Sequence, residues 1–171
     1  MTRKEHEIDD FDLDIIDLLM ENGRMSCREM AARIGGLTER AIRYRMNSLF
    51  EKKIIKPYVS PNLKAIGLNT IADVFLDVEP GRLYEISNHL ATYNCVTYVG
   101  CSTGNNDISL QIAAKDNEDL YEFANQELAK IPGVINMTIA IVPIIVKMFH
   151  WRTKEVVRNG ARAEINSSQK K

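Results

Sequence analysis

From Thr70 to Phe149 the apolar residues pass through six segments in a fixed order, and that order limits the fold more than any other feature of the chain. Thr70 to Val78 carries Ile71, Val74, Leu76 and Val78 in a pattern that predicts a strand, and Pro80-Gly81 turns the chain. Leu83 to Thr92 places Leu83, Ile86 and Leu90 at helical spacing. Val96 to Ser102 and Asp107 to Ala113 are two more strands, and the link Thr103-Gly104-Asn105-Asn106 is short enough to make them a hairpin. Asn117 to Lys130 is a second helix bearing Leu120, Phe123, Ala124 and Leu128, closed by Pro132-Gly133. Val134 to Phe149, almost wholly apolar, predicts a long final strand. The order β-α-β-β-α-β is the ferredoxin-like arrangement, so the fold class expected here is α+β. Two helices cover one face of such a sheet. Ile139, Ile141, Ile144 and Val146 alternate with Ala140, Val142 and Ile145, so the sheet is expected to be apolar on both faces and buried on both. A second copy of the same sheet is the most economical cover, which predicts a homodimer.

The residues ahead of this block follow helical rules instead. Ile8 to Asn22 has Phe11, Ile15, Leu18 and Leu19 on one face, Asp12, Asp14 and Asp17 on others, and Gly23 as a stop. Ser26-Cys27-Arg28-Glu29 fits a capping box that starts a short second helix with Met30 and Ile34 apolar, broken by Gly35-Gly36. Thr38 is a suitable N-cap for a third helix running to about Lys52. In that helix Ile42, Met46, Leu49 and Phe50 form an apolar stripe, while Arg40, Arg43, Tyr44 and Asn47 gather on the opposite side. Arginine can bond guanine and asparagine can bond adenine in bidentate fashion in a major groove, and two short helices around a glycine turn form a helix-turn-helix. Ile54 to Val59 has strand composition with Pro57 confining it to an edge, so a small wing is expected, with Lys53 and Lys56 placed to touch phosphate.

Charge is distributed in agreement with this division. Met1 to Gly23 holds 2 basic and 8 acidic residues, Arg24 to Ser60 holds 9 and 3, Pro61 to His150 holds 5 and 10, and Trp151 to Lys171 holds 6 and 2. A basic block within a chain of net charge −1 is where a polyanion would be held. The mixture of 45% hydrophobic and 26% charged residues is that of an ordinary globular protein, and no apolar run approaches the roughly 20 residues of a membrane span. The charged start, Met1 to Asp10, is not a secretory signal. Cys27, Cys95 and Cys101 form no CxxC pair and are expected to be reduced thiols in a cytoplasmic protein. His6, His89 and His150 stand in three different segments, so no metal site is expected, and no cofactor.

The pieces Leu13-Asp14-Ile15-Ile16-Asp17, Gly23-Arg24-Met25-Ser26, Met30-Ala31, Leu37-Thr38, Arg45 and Ile54-Ile55 stand in order in the first third. Gly104-Asn105-Asn106-Asp107 and Ile131-Pro132-Gly133-Val134 follow in the second part. This ordered set, spanning about residues 10 to 148, resembles the leucine-responsive regulatory protein/AsnC family of transcription regulators. The resemblance implies a winged helix-turn-helix over 1–60, a linker over 61–69, a ferredoxin-like sensing and oligomerising domain over 70–150 and a basic extension over 151–171. It implies double-stranded DNA as a partner, homodimers that can build into tetramers or octamers, and an amino-acid or related effector. The candidate DNA-binding residues are Ser26, Thr38, Arg40, Arg43, Tyr44, Arg45, Asn47, Lys53 and Lys56. The candidate effector residues are Ser102, Thr103, Gly104, Asn105, Asn106, Asp107 and Thr138. Asp107 could equally cap its own loop, and Ser102 and Thr103 could bond the turn's own backbone.

Three departures from the family pattern stand out: a second glycine in the Gly35-Gly36 turn, Asn106 in place of an aromatic or apolar residue, and the tail from Trp151. Thr153 to Ala163 is expected to be a short basic helix, and Asn166 to Lys171 disordered. Two other functions fit the same scaffold. A siroheme decarboxylase-like enzyme would want histidines and arginines around a large pocket, and a protein-interaction module would turn the helix-turn-helix towards another protein.

Overall fold

The computed structural model describes residues 8–148 and 151–160. They form two compact units: 8–59 together with 147–148 and 151–160, and 60–146. The histidines at 6 and 150, the residues at 1–7 and the end expected to be disordered lie outside the described residues.

The first unit begins with α1 (Asp10–Glu21), α2 (Cys27–Ile34) and α3 (Glu39–Glu51). Its core is Ile15, Met25, Met30, Ile42 and Leu49, joined by Ile16, Leu18, Leu19, Met46 and others from the partly buried apolar faces. The full capping box lies at α1, where Asp9 and Asp12 exchange backbone and side-chain hydrogen bonds. At α2 the Ser26 hydroxyl accepts from the Glu29 amide at 3.1 Å, and Thr38 does the same for Ala41 at α3. Each cap satisfies amides that have no partner inside the helix. Between α2 and α3 the backbone passes through two successive left-handed residues, Gly35 (φ 72°) and Gly36 (φ 73°). Any side chain there would cost about 1–2 kcal/mol, which is the physical use of the second glycine.

No ladder forms over residues 54–59. The expected wing strand is irregular chain without a neighbouring strand, and Pro57 lacks the amide a ladder would use.

In the second unit β1 (Thr70–Val78), α4 (Leu83–Leu90), β2 (Val96–Cys101), β3 (Ile108–Ala114), α5 (Asn117–Gln126) and β4 (Val134–Ile141) follow in the expected order. The sheet is antiparallel with strand order β2-β3-β1-β4. Ala72, Val74, Leu76 and Val78 of β1 and Ile108, Leu110 and Ile112 of β3 pack with Ile86, Leu90, Leu120 and Leu128 in one core.

The other face differs from expectation. Cross-strand partners share a face, so Asp73 with Gln111 and Ala140, Phe75 with Ser109 and Thr138, and Asp77 with Asn136 line it. It is a mixed face, with Asp73 and Asp77 in the middle strand. The alternation of isoleucines in the last strand misleads because Ile139 and Ile141 pair with Val74 and Ala72 and so lie on the helix side, half-exposed on an edge strand. Burial of two apolar faces is therefore no ground for a dimer. β4 also stops at Ile141 rather than Phe149, because β1 runs out: Val142 donates to Ile71 at 2.7 Å, and Pro143 follows.

Past the sheet the chain forms α6 (Thr153–Asn159) with Gly160 at its C-cap, and the rest of the helix expected to Ala163 lies outside the described residues. It belongs to the first unit and packs on α1.

Candidate nucleic-acid interface

The best-defined candidate surface is the outer side of α3. Ile42 and Leu49 are fully buried, which fixes the rotation of the helix about its axis. Arg40, Arg43, Tyr44 and Asn47 are then all exposed, Tyr44 at 75%. Arg43 donates to Glu39 one turn earlier, a pair in water that phosphate or a base edge can displace at little cost. Lys53 and Lys56 lie exposed just after the helix, Lys53 with left-handed backbone at φ 57°.

Arg45 does not share that face. It is 19% exposed and reaches back to α1, donating to Asp9 and Asp12, each at 2.9 Å. Its guanidinium also lies over the Phe11 ring, 5.5 Å from the centroid. Asp12, which the helical wheel placed on an outer face, is fully buried in this arrangement. Burial pushes the Asp9 carboxyl up, but the Asp12 amide and the Arg45 guanidinium outweigh it and hold the group below its usual range. Burial likewise disfavours the charged Arg45, and the two carboxylates more than compensate. Arg45 thus ties the outward-facing helix to α1, and Ser26 and Thr38 act here as helix caps.

The glycine loop of the second unit is tied at its end. The Asp107 carboxylate accepts from the Val78 amide at 2.9 Å, its own amide donates to Leu76 at 3.0 Å, and Ser102 donates to the Asp107 carbonyl at 2.8 Å. Asn106 donates to Asp77 at 3.1 Å, and Asn136 donates to the other oxygen of the same carboxylate at 3.2 Å. Ser102, Thr103, Gly104 and Asn105 are exposed at the tip. Thr138 is exposed two residues along β4 from Asn136, on the same face. Asp77 and Asn136, absent from the expected set, link Asn106 to that strand. Their alternation on β1 and β4 was the available signal. The Asp107 amide and carboxylate perform the loop-capping role, and the Ser102 hydroxyl donates to Ser109 at 3.4 Å.

Among the described residues no group of three or more His, Cys, Asp or Glu could hold a metal ion. No helix among them is long and apolar enough to cross a membrane. Cys27, Cys95 and Cys101 are free thiols, and burial pushes the Cys95 thiol up.

Residues 8–49 match the AsnC-type helix-turn-helix domain, and residues 71–150 match the Lrp/AsnC ligand binding domain. The HTH-type transcriptional regulator LrpA of Pyrococcus abyssi is 33% identical over 136 residues, covering 79% of this chain and 96% of that relative. The chain belongs to the Lrp/AsnC family. An uncharacterised HTH-type transcriptional regulator of Pyrococcus furiosus is 33% identical over 146 residues, 85% of this chain and 98% of that protein. Escherichia coli AsnC shares the fold at a TM-score of 0.72 and 20% identity, covering 84% of this chain and 99% of that one. A Neisseria meningitidis transcriptional regulator in complex with L-Met does so at a TM-score of 0.76 and 21% identity, covering 83% and 94%. As in its Lrp/AsnC relatives, the α+β architecture joins a helix-turn-helix unit to a four-stranded ligand-binding unit.

Proposed function

We infer that this chain is a DNA-binding transcription regulator of the cytoplasm that acts as a homodimer or larger homo-oligomer and responds to an amino acid or a closely related metabolite. The carrying observation is the Arg40, Arg43, Tyr44 and Asn47 face, held outward by a buried stripe on the same helix. Its donors suit base edges in a major groove, and Lys53 and Lys56 suit the flanking phosphates. The family match over residues 71–150 supports a small-molecule ligand, and the exposed loop Ser102–Asn105 with Asp107 and Thr138 is where we place its polar groups. Self-association is supported by the edge strand β4 and the chain after it, where Ile135, Ile144 and Val146 are 66%, 76% and 94% exposed. The relatives are transcription regulators, which favours a non-enzymatic role over tetrapyrrole chemistry.

The test is fluorescence anisotropy with a duplex from the chain's own upstream region, beside light scattering with and without a panel of amino acids. Binding at low salt, together with a mass change for at least one amino acid, is the expected result. Absence of binding at low salt overturns the DNA reading, and indifference to every amino acid overturns the effector reading alone.

A further inference from the structure

The first unit contains a charge arrangement that the family match, which ends at residue 150, does not cover. Residues 1–59 hold 11 basic and 11 acidic side chains, so by themselves they are electrically neutral. Residues 147–171 hold 7 basic and 2 acidic, and residues 60–146 hold 4 and 10. The entire net positive charge of the first unit therefore comes from the C-terminal segment.

That segment is docked through α6. The Asp17 carboxylate accepts from the Thr153 amide at 2.6 Å and the Lys154 amide at 3.3 Å. Lys154 Nζ donates to both oxygens of Asp14, at 2.8 and 2.7 Å. Arg158 donates to Asp10, and the Thr153 hydroxyl meets the Met20 sulfur at 3.4 Å. Asp10, Asp14 and Asp17 stand at i, i+4 and i+7 on α1, and Lys154 and Arg158 at i and i+4 on α6, so two helical stripes of opposite charge face each other. The Lys154–Asp14 pair is only 26% and 31% exposed, so it is screened less than an open surface pair. α1 is met by guanidinium groups elsewhere too, from Arg45 on α3 and from Arg33, which pairs with Glu21 at 2.7 Å.

We propose that the C-terminal segment is a working part of the DNA-binding unit: docked on the aspartates of α1, it masks their charge and supplies the net positive field with which that unit meets DNA. This rests on the DNA-binding reading above. Lys154 and Arg158 need not touch DNA for it. Their side chains cover Asp14 and Asp10, and the Thr153 and Lys154 amides cover Asp17, in a unit that must approach phosphate.

The experiment compares four full-length or nearly full-length proteins on one duplex at about 50 mM salt, with hydrogen exchange at the Thr153 and Lys154 amides. They are the wild type, a chain ending at residue 150, Lys154→Ala with Arg158→Ala, and Lys115→Ala with Lys130→Ala as a pair of equal charge change on exposed residues of the second unit. The truncated chain should bind about tenfold more weakly. The docking pair should lose amide protection and bind severalfold more weakly, and the control pair should stay within about twofold of wild type. Equal affinity of the docking pair and the control pair overturns the proposal, and decides it even if the truncated chain fails to fold. A folded truncated chain with wild-type affinity overturns it as well. A wild type that does not bind DNA overturns the functional reading itself, and this inference with it.

Discussion

Two arginines of α3 separated by one residue have opposite environments, and substitution should separate their roles. Arg43 is exposed and paired only along its own helix surface, so Arg43→Ala should leave stability within about 0.5 kcal/mol. It should weaken DNA binding at least about tenfold, since one bidentate contact is worth roughly 1–3 kcal/mol. Arg45→Ala leaves Asp12 buried without its guanidinium and should cost roughly 3 kcal/mol, read as a lower urea midpoint. A stable Arg45→Ala protein that has merely lost DNA affinity would place Arg45 on the interface after all. Asp9 adds a pH dependence. Its folded carboxyl titrates below the unfolded one, so its stabilisation is complete above the unfolded range, near pH 4, and is lost as pH falls through the lowered value. Wild type and Asp9→Asn should therefore differ in denaturant midpoint at pH 6 and converge towards pH 2. A difference that persists at pH 2 would assign the effect to something other than this charge.

At the scale of elements, Asp107 both closes the β2–β3 loop on β1 and stands among the candidate effector groups. Asp107→Asn keeps an oxygen for the Val78 amide but removes the negative charge that an ammonium group would seek. It should retain thermal stability while abolishing any amino-acid response in light scattering, whereas Asp107→Ala should cost about 1–2 kcal/mol as well. A response surviving in Asp107→Asn would confine the residue to loop closure. This division of labour was half legible in the sequence. Glycine, asparagine and aspartate in a tight link announce a turn, but the acceptor role towards Val78 depends on a strand 29 residues away. The two faces of α3 were legible because helical periodicity is local, and Ile42 and Leu49 decide the outward side wherever the helix packs. The end of β4 was not, because an unbroken apolar run carries no mark of where β1 stops offering hydrogen bonds. The mixed face of the sheet was visible in Asp73 and Asp77, yet the isoleucines of β4 drew attention to the wrong strand. The wing failed for a related reason, since strand composition over Ile54–Val59 cannot supply a neighbour to pair with. The docking of α6 was written in the spacing of Asp10, Asp14 and Asp17 against Lys154 and Arg158, but helices over 130 residues apart give no local sign of meeting.

At the scale of the whole molecule, charge separates sharply by unit: the second unit holds 4 basic and 10 acidic side chains, and the first, with its C-terminal segment, holds 18 and 13. A polyanion is thus attracted by one unit and repelled by the other, which makes the salt dependence of binding a measure of how many first units engage DNA. Of the five exposed cations on and just after α3, Arg40, Arg43, Lys53 and Lys56 are those assigned to DNA, four per chain once Arg45 is assigned to α1, and Lys52 at the C-cap is the fifth. Each neutralised phosphate contributes about −0.9 to the slope of log affinity against log salt. A single unit on DNA should therefore give a slope of about −4, and a two-fold pair reading adjacent half-sites about −7. We expect the steeper value, measured between roughly 50 and 200 mM salt, with Lys53→Ala and Lys56→Ala together lowering its magnitude by about 4 because each substitution is present twice. A slope near −4 in wild type, with a decrease of only about 2 in the double variant, would mean that a lone chain binds, and would sink the homodimer as the DNA-binding species.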